Sequence, residues 1–135
     1  MTERMIINAK GAVFGRLCSY AAKQALLGKE VVVVNSEKAV ISGNKNEIIA
    51  RYKGLRDKGG FSQKGPRVSK SPYRLMKRGI RGMLPDFRSG QGKLAFARVK
   101  CYEGVPAEFE EKEMIKIKKQ MPVRYIELKQ LVERL

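Results

Sequence analysis

The sequence predicts a single α/β domain, and three observations carry the prediction. Two short apolar runs, MIIN at Met5 to Asn8 and VVVVN at Val31 to Asn35, are unbroken, and the second is rich in β-branched residues. Runs of this kind suit strands covered on both faces, as in parallel sheets. Between them Phe14, Leu17, Cys18, Ala21 and Ala25 recur at helical spacing. The 135 residues, 43% of them hydrophobic, suffice for one core. The first third therefore reads as β-α-β, which calls for a right-handed crossover.

Gly28 stops the first helix. Ser36 to Gly43 reads as a turn and a short strand around Ala39 to Ser42. A helix follows from Asn44, a cap residue, with Ile48, Ile49 and Tyr52 on its inner face. Residues 57–71, DKGGFSQKGPRVSKS, lack periodicity and read as a flexible basic loop; an unstructured connection of about 15 residues inside a domain tends to be functional. Ser71 as N-cap and Pro72 at the first helical position open a helix that ends before Pro85. Ser89 to Arg98 reads as a short helix, and Val99 to Tyr102 as the last strand before the breakers Gly104 and Pro106. Residues 107–135 read as a charged C-terminal extension, with Glu110 to Gln120 as extended surface. Tyr125, Leu128, Leu131, Val132 and Leu135 form a final amphipathic helix.

The charge balance points to a partner. Lys and Arg number 29 against 13 Asp and Glu, a net charge of +16, so the chain repels its own copies and seeks a polyanion. The excess is concentrated from Arg51 to Arg81, where Asp57 is the one acid, whereas seven of the thirteen acids lie from Glu103 onward. In the helix SPYRLMKRGIRGMLP, Arg74, Lys77, Arg78 and Arg81 form a stripe whose centre lies roughly 120° from that of Tyr73, Met76, Ile80, Met83 and Leu84. The second stripe docks and the first is presented. Gly79 and Gly82 permit close backbone approach, either to nucleic acid or to another part of the protein. A solvated face would intersperse acids for i, i+4 pairing, and none occurs from Gln63 to Leu84, which favours nucleic acid. A membrane-surface helix is the weaker reading, since the apolar stripe is needed for the core and lacks Trp. A Gly/Ser/Lys loop beside a basic helix suits structured RNA better than duplex DNA, for which neither a helix-turn-helix nor a zinc module is visible. Phe61 and Tyr73 can stack on bases, although Tyr73 reads more readily as core.

Catalysis lacks its usual parts. There is no histidine, which removes the common general base and a Cys2His2 zinc site, and no Ser or Cys lies in a nucleophile motif. Cys18 and Cys101 read as buried thiols rather than a disulfide. The turn NAKGAVFGR, Asn8 to Arg16, matches neither GxGxxG nor GxxxxGK[ST]; its glycines read as allowing a tight turn and close helix packing. A small nucleotide-binding enzyme using Gly11 to Arg16 is thus an alternative, as is a non-specific DNA-binding protein. No signal-peptide h-region opens the chain and no apolar run approaches the ~20 residues of a membrane span, so a cytosolic location is expected.

The segments GAVFGRLCSYAAKQALLGKEVVVVNSEKAVISG, RLMKRGIRGMLP and GKLAFARVKCYEGVP closely resemble the thirteenth large-subunit ribosomal protein family, over Met5 to about Pro106. RYKGLRDKGGFSQKGP stands where the bacterial branch has an HSGYPGG-like segment, which resembles the archaeal and eukaryotic branch, and the ending PVRYIELKQLVERL resembles the archaeal type. The resemblance implies a three-layer α/β/α domain around a mainly parallel four-stranded sheet. It also implies binding to large-subunit ribosomal RNA and neighbouring ribosomal proteins, and a role in subunit assembly on the cytoplasmic ribosome. No catalysis, cofactor, metal, small-molecule substrate or membrane is implied. By position, Arg74, Lys77, Arg78 and Arg81 match the family's basic helix, and Lys53, Lys58, Lys64, Arg67 and Lys70 its variable basic loop. Arg88, just beyond the helix, completes the expected RNA-binding set.

Overall fold

The computed structural model describes residues 4–57, 71–86, 88–110, 112–117 and 122–134, at Arg56 the backbone only. Strand β1 (Arg4–Asn8), helix α1 (Phe14–Leu26) and strand β2 (Glu30–Val34) form the expected β-α-β unit, with β1 and β2 paired in parallel from Arg4↔Glu30 to Asn8↔Val34. After a 3-10 turn at Ser36–Lys38 come β3 (Val40–Ser42), α2 (Lys45–Asp57), α3 (Pro72–Gly82), α4 (Gly90–Ala97) and β4 (Val99–Cys101). A second 3-10 turn at Ala107–Phe109 precedes β5 (Ile115–Lys116), β6 (Tyr125–Glu127) and α5 (Leu128–Arg134). The main sheet is parallel throughout, in the order β4-β2-β1-β5.

Alternation along the strands divides the core in two. Met5, Ile7, Val31, Val33, Val99 and Cys101 face the helical layer, where they meet Leu17, Cys18, Ala21 and Ala25 of α1, Met76 and Ile80 of α3 and Leu131 of α5. Ile6, Val32 and Val34 face the other way, onto Phe109 of the second 3-10 turn, with Tyr102, Val105 and Met114 around it. Among the described residues the layer on that side consists of a turn and its flanks. The inner stripe of α1 is almost all small residues, so its backbone lies close to the sheet and leaves room for α3 and α4 to cross it.

Two strands differ from the sequence expectation. The strand at Val40–Ser42 is not in the main sheet; it pairs antiparallel with β6, Val40 opposite Glu127 and Ser42 opposite Tyr125. The fourth strand of the main sheet is β5, inside the charged stretch that reads as extended surface, and it is only two residues long, paired at Ile7↔Ile115 and Asn8↔Lys116. The final helix begins at Leu128, because Tyr125 and Ile126 are in β6, and Leu135 lies outside the described residues. Far from hanging off the domain, this segment closes it: Ile126, Leu128 and Leu131 are buried, and the Leu128 N–H donates to Ala39 O at 2.9 Å.

Cys18 and Cys101 are free and buried. Burial pushes both thiols up, Cys18 further because Cys101 is nearby, and Cys101 to about 12 against a small opposing pull from Lys77. A thiol raised in the native state contributes stability below the ordinary value of about 8.5; above it the unfolded chain ionises and the folded one cannot. Native protein at pH 8 should therefore react with a thiol-specific reagent only at its rate of opening, all at once in denaturant, and its thermal midpoint should fall as pH rises from about 9 toward 12.

Glycines mark the tight joints. A Cβ on Gly92 would fall on the carbonyl oxygen of Pro85, so α4 lies against the chain leaving α3, whereas a Cβ on Gly82 would meet nothing within 4 Å. Gly92→Ala should cost about 2 kcal/mol or more through overpacking, exceeding the ~1 kcal/mol helix-propensity gain, whereas Gly82→Ala should be neutral or slightly stabilising in urea titration.

Candidate nucleic-acid interface

Helix α3 starts where the sequence marks it. Ser71 is extended, Pro72 occupies the first helical position and Leu75 N–H closes the first turn on Ser71 O at 3.0 Å. The Ser71 hydroxyl does not cap the helix; it donates to Glu103 Oε1 at 3.3 Å, which brings an acid to the helix end where the macrodipole favours one. Arg81, in the last turn, has the sign that suits the other end.

The docked stripe consists of Pro72, Leu75, Met76 and Ile80, all buried, with Leu84 following. This corrects the sequence reading at Met83, which is 45% exposed; Tyr73 is half-buried and packs against the core at its margin, as expected. Gly79 belongs to the docked side as well, since a Cβ there would lie 2.5 Å from Phe14 Cζ and 2.9 Å from Cys18 Sγ. Its close approach is therefore to α1, within the protein. With the stripe corrected, the cations stand roughly 180° from its centre at about 100° per residue, directly opposite the core.

Arg74 is exposed; its guanidinium lies 5.8 Å from the Tyr73 ring centroid and its Nε donates to Tyr73 Oη at 3.1 Å. Lys77 is half-buried, with Nζ 5.1 Å from the centroid of Phe96 in α4, a cation–π contact that holds the ammonium at the α3/α4 seam. Arg78 and Arg81 are half-buried on the same side of the helix. Arg88 is exposed in the turn that follows, where its N–H and the Ser89 hydroxyl both donate to the Asp86 carboxylate, holding that acid below its ordinary value. Lys53 is exposed on α2 but turned roughly 150° from Arg51, Tyr52 and Leu55, the residues of α2 nearest α3. Lys58, Lys64, Arg67 and Lys70 lie outside the described residues.

One cation outside the expected set joins the α3 surface. A cleft of about 430 Å³ between α2 and α3, floored by Phe14 of α1, has Arg51 on one rim and Arg78 on the other. The sequence puts Arg51 in the basic window without assigning it to the site, because only the tertiary fold brings it to the same cleft as Arg78. The visible signal was its position beside Tyr52, an inner-face residue.

The turn after β1 is already committed within the protein. Lys10 N–H donates to Asn8 Oδ1 at 3.0 Å, Gly11 N–H to Lys38 O at 3.1 Å and Ala12 N–H to Ala9 O at 3.0 Å. These amides are not turned out to cradle a phosphate. Gly11, at φ 72°, supplies the expected tight turn, but Gly15 has open space where close packing was expected. Among the described residues no group of three His, Cys, Asp or Glu could hold a metal, and no helix is long and apolar enough to cross a membrane.

Fold and surface define a small basic α/β protein that carries a stripe of cations on one docked helix. Residues 2–108 match the family model described as Ribosomal protein L13, and the chain belongs to that family. Its relatives include the large ribosomal subunit protein uL13 of Archaeoglobus fulgidus, 45% identical over 112 residues, covering 83% of this chain and 70% of that one. The protein of the same name in Methanosarcina barkeri is 44% identical over 113 residues (83% and 79%), and that of Saccharolobus solfataricus 46% over 115 (83% and 76%). These are archaeal relatives, matching the type that the sequence resembles.

The two sides of α3 should respond differently to substitution. Arg74→Gln should change unfolding free energy by no more than about 0.5 kcal/mol, as expected of a surface position, whereas Met76→Ala should cost about 2–5 kcal/mol by opening a cavity. Equal costs in urea denaturation would show that the helix is docked by the other side.

Proposed function

We propose that this chain is a structural constituent of the large ribosomal subunit, on the cytoplasmic ribosome, where it binds large-subunit rRNA, meets neighbouring ribosomal proteins and supports assembly of the subunit without catalysing a reaction. The observation that carries the reading is the opposition within α3: Pro72, Leu75, Met76 and Ile80 fix the helix to the core, and Arg74, Lys77, Arg78 and Arg81 are held on the other side. Folded RNA suits such a surface because its phosphates are closely spaced and it is recognised largely by shape and backbone. Membership in a family whose relatives are named for the large subunit supports the choice of RNA. Arg88 extends the surface past the C-terminal end of α3. Lys53, Lys58, Lys64, Arg67 and Lys70 are proposed as a second, more variable set of phosphate contacts. The whole chain of 135 residues acts as one domain, with the basic loop at 57–71 and the charged segment from 107 as parts of it.

Binding of the full chain to protein-free large-subunit rRNA should weaken linearly with the logarithm of salt concentration, through release of condensed counterions. Changing Arg74, Lys77, Arg78 and Arg81 together to Gln should make that slope shallower, by roughly one for each phosphate left without its cation, with the circular dichroism spectrum unchanged. An unchanged slope and affinity would remove α3 from the interface, and equal competition by duplex DNA would replace RNA with a non-specific partner.

A further inference from the structure

We propose that the cleft between α2 and α3 receives an unstacked nucleobase of the bound RNA, with Arg51 and Arg78 holding the flanking phosphates. The inference rests on the RNA-binding reading and adds a point of attachment to it. At about 430 Å³ the cleft falls within the roughly 300–1,000 Å³ of small-molecule sites. Its walls are apolar and aromatic: Phe14 at the floor, Tyr52 and Leu55 from α2, and Met83, 45% exposed, at the mouth. The Arg51 guanidinium lies 5.4 Å from the Tyr52 centroid, so a planar cation and an aromatic ring adjoin on one wall. Bases stack on both kinds of surface.

Charge distinguishes a nucleotide from an apolar peptide as the occupant. No acid lines the cleft, and among the described residues neither Arg51 nor Arg78 has a carboxylate partner. An apolar peptide would leave both cations unanswered, whereas a nucleotide presents a flat stacking face together with an anionic phosphate. Arg78 also belongs to the α3 stripe, so a strand tracking along α3 passes the cleft mouth. Gly82 leaves that mouth open, since a Cβ there would meet nothing within 4 Å.

The test compares the full chain, two cleft variants and the fourfold Gln variant of α3 on protein-free large-subunit rRNA. Gly82→Leu narrows the mouth from outside the core, and Tyr52→Leu removes the stacking ring, with Tyr52→Phe as the conservative control. Stacking proceeds without counterion release, so Gly82→Leu and Tyr52→Leu should lower affinity roughly 5- to 150-fold at every salt concentration while leaving the salt slope unchanged, and Tyr52→Phe should restore it. Base-specific chemical probing should find a nucleotide that the wild-type chain protects and Gly82→Leu leaves reactive. Wild-type affinity and protection in both cleft variants, alongside a weakened fourfold variant, would overturn the cleft proposal and leave RNA binding standing, with the cleft open to an apolar segment of a neighbouring protein. A fourfold variant that binds like wild type would instead remove the RNA-binding reading of α3 itself.

Discussion

The structure depends on how closely α3 can approach α1. At Gly79 a single added carbon would meet Phe14 and Cys18 at 2.5–2.9 Å, so the two helices touch where one of them has no side chain. That approach brings Met76 and Ile80 to full burial and Cys18 Sγ within 3.8 Å of Met76 Sδ. It also sets the rotation of α3 about its axis. A helix docked through Pro72, Leu75, Met76, Gly79 and Ile80 can present Arg74, Lys77, Arg78 and Arg81 only to the outside, so the same glycine that permits packing determines where the charge points.

The charge works against the helix that bears it. Arg74–Lys77, Arg74–Arg78, Lys77–Arg81 and Arg78–Arg81 are all like-charge neighbours at i, i+3 or i, i+4, each costing about 0.2–0.5 kcal/mol. Burial of Leu75, Met76 and Ile80, at about 1.5–3 kcal/mol per side chain, outweighs that cost, which isolated α3 would have nothing to offset. The aromatic rings beside Arg74 and Lys77 ease the repulsion without neutralising it, and so leave the charge available to an anion.

Much of this was legible in the sequence, and the misses share a cause. The β-α-β start, the ends of α1 and α3 and the short α4 follow from periodicity and from Gly and Pro, which act locally. The fourth strand of the main sheet was hidden because Ile115 and Lys116 contribute just two paired residues, too few to show alternation. β6 was read as helix because Tyr125 falls in register with Leu128 and Leu131; its pairing with Val40–Ser42, more than eighty residues earlier, is a tertiary interaction without a local signal. At the candidate site the common side of the four α3 cations is legible, being a property of one helix. Arg51 carries no local signal that pairs it with Arg78, because the two share a cleft only through the tertiary fold, and Met83 departs from the expected stripe because α3 stops at Gly82, after which helical spacing no longer says where a side chain points.

The sheet itself bears on why the proposed interface lies in the helical layer. In open parallel sheets ligands usually gather beyond the carboxyl ends of the strands, where loops diverge and backbone groups lack partners. Here those groups satisfy one another. Asn35, in the left-handed conformation at φ 57°, donates from Nδ2 to Asn8 Oδ1 at 3.0 Å, and its N–H reaches Gly104 O at 2.9 Å. Ser36 N–H donates to Tyr102 O at 3.1 Å, and the Glu37 carboxylate accepts from Gly104 N–H at 3.0 Å. The NSEK turn and the YEG turn thus close the end of the sheet against each other. The crevice that open parallel sheets offer in other proteins is here a structural joint, and the cations proposed to meet RNA are instead those on the outer side of α3.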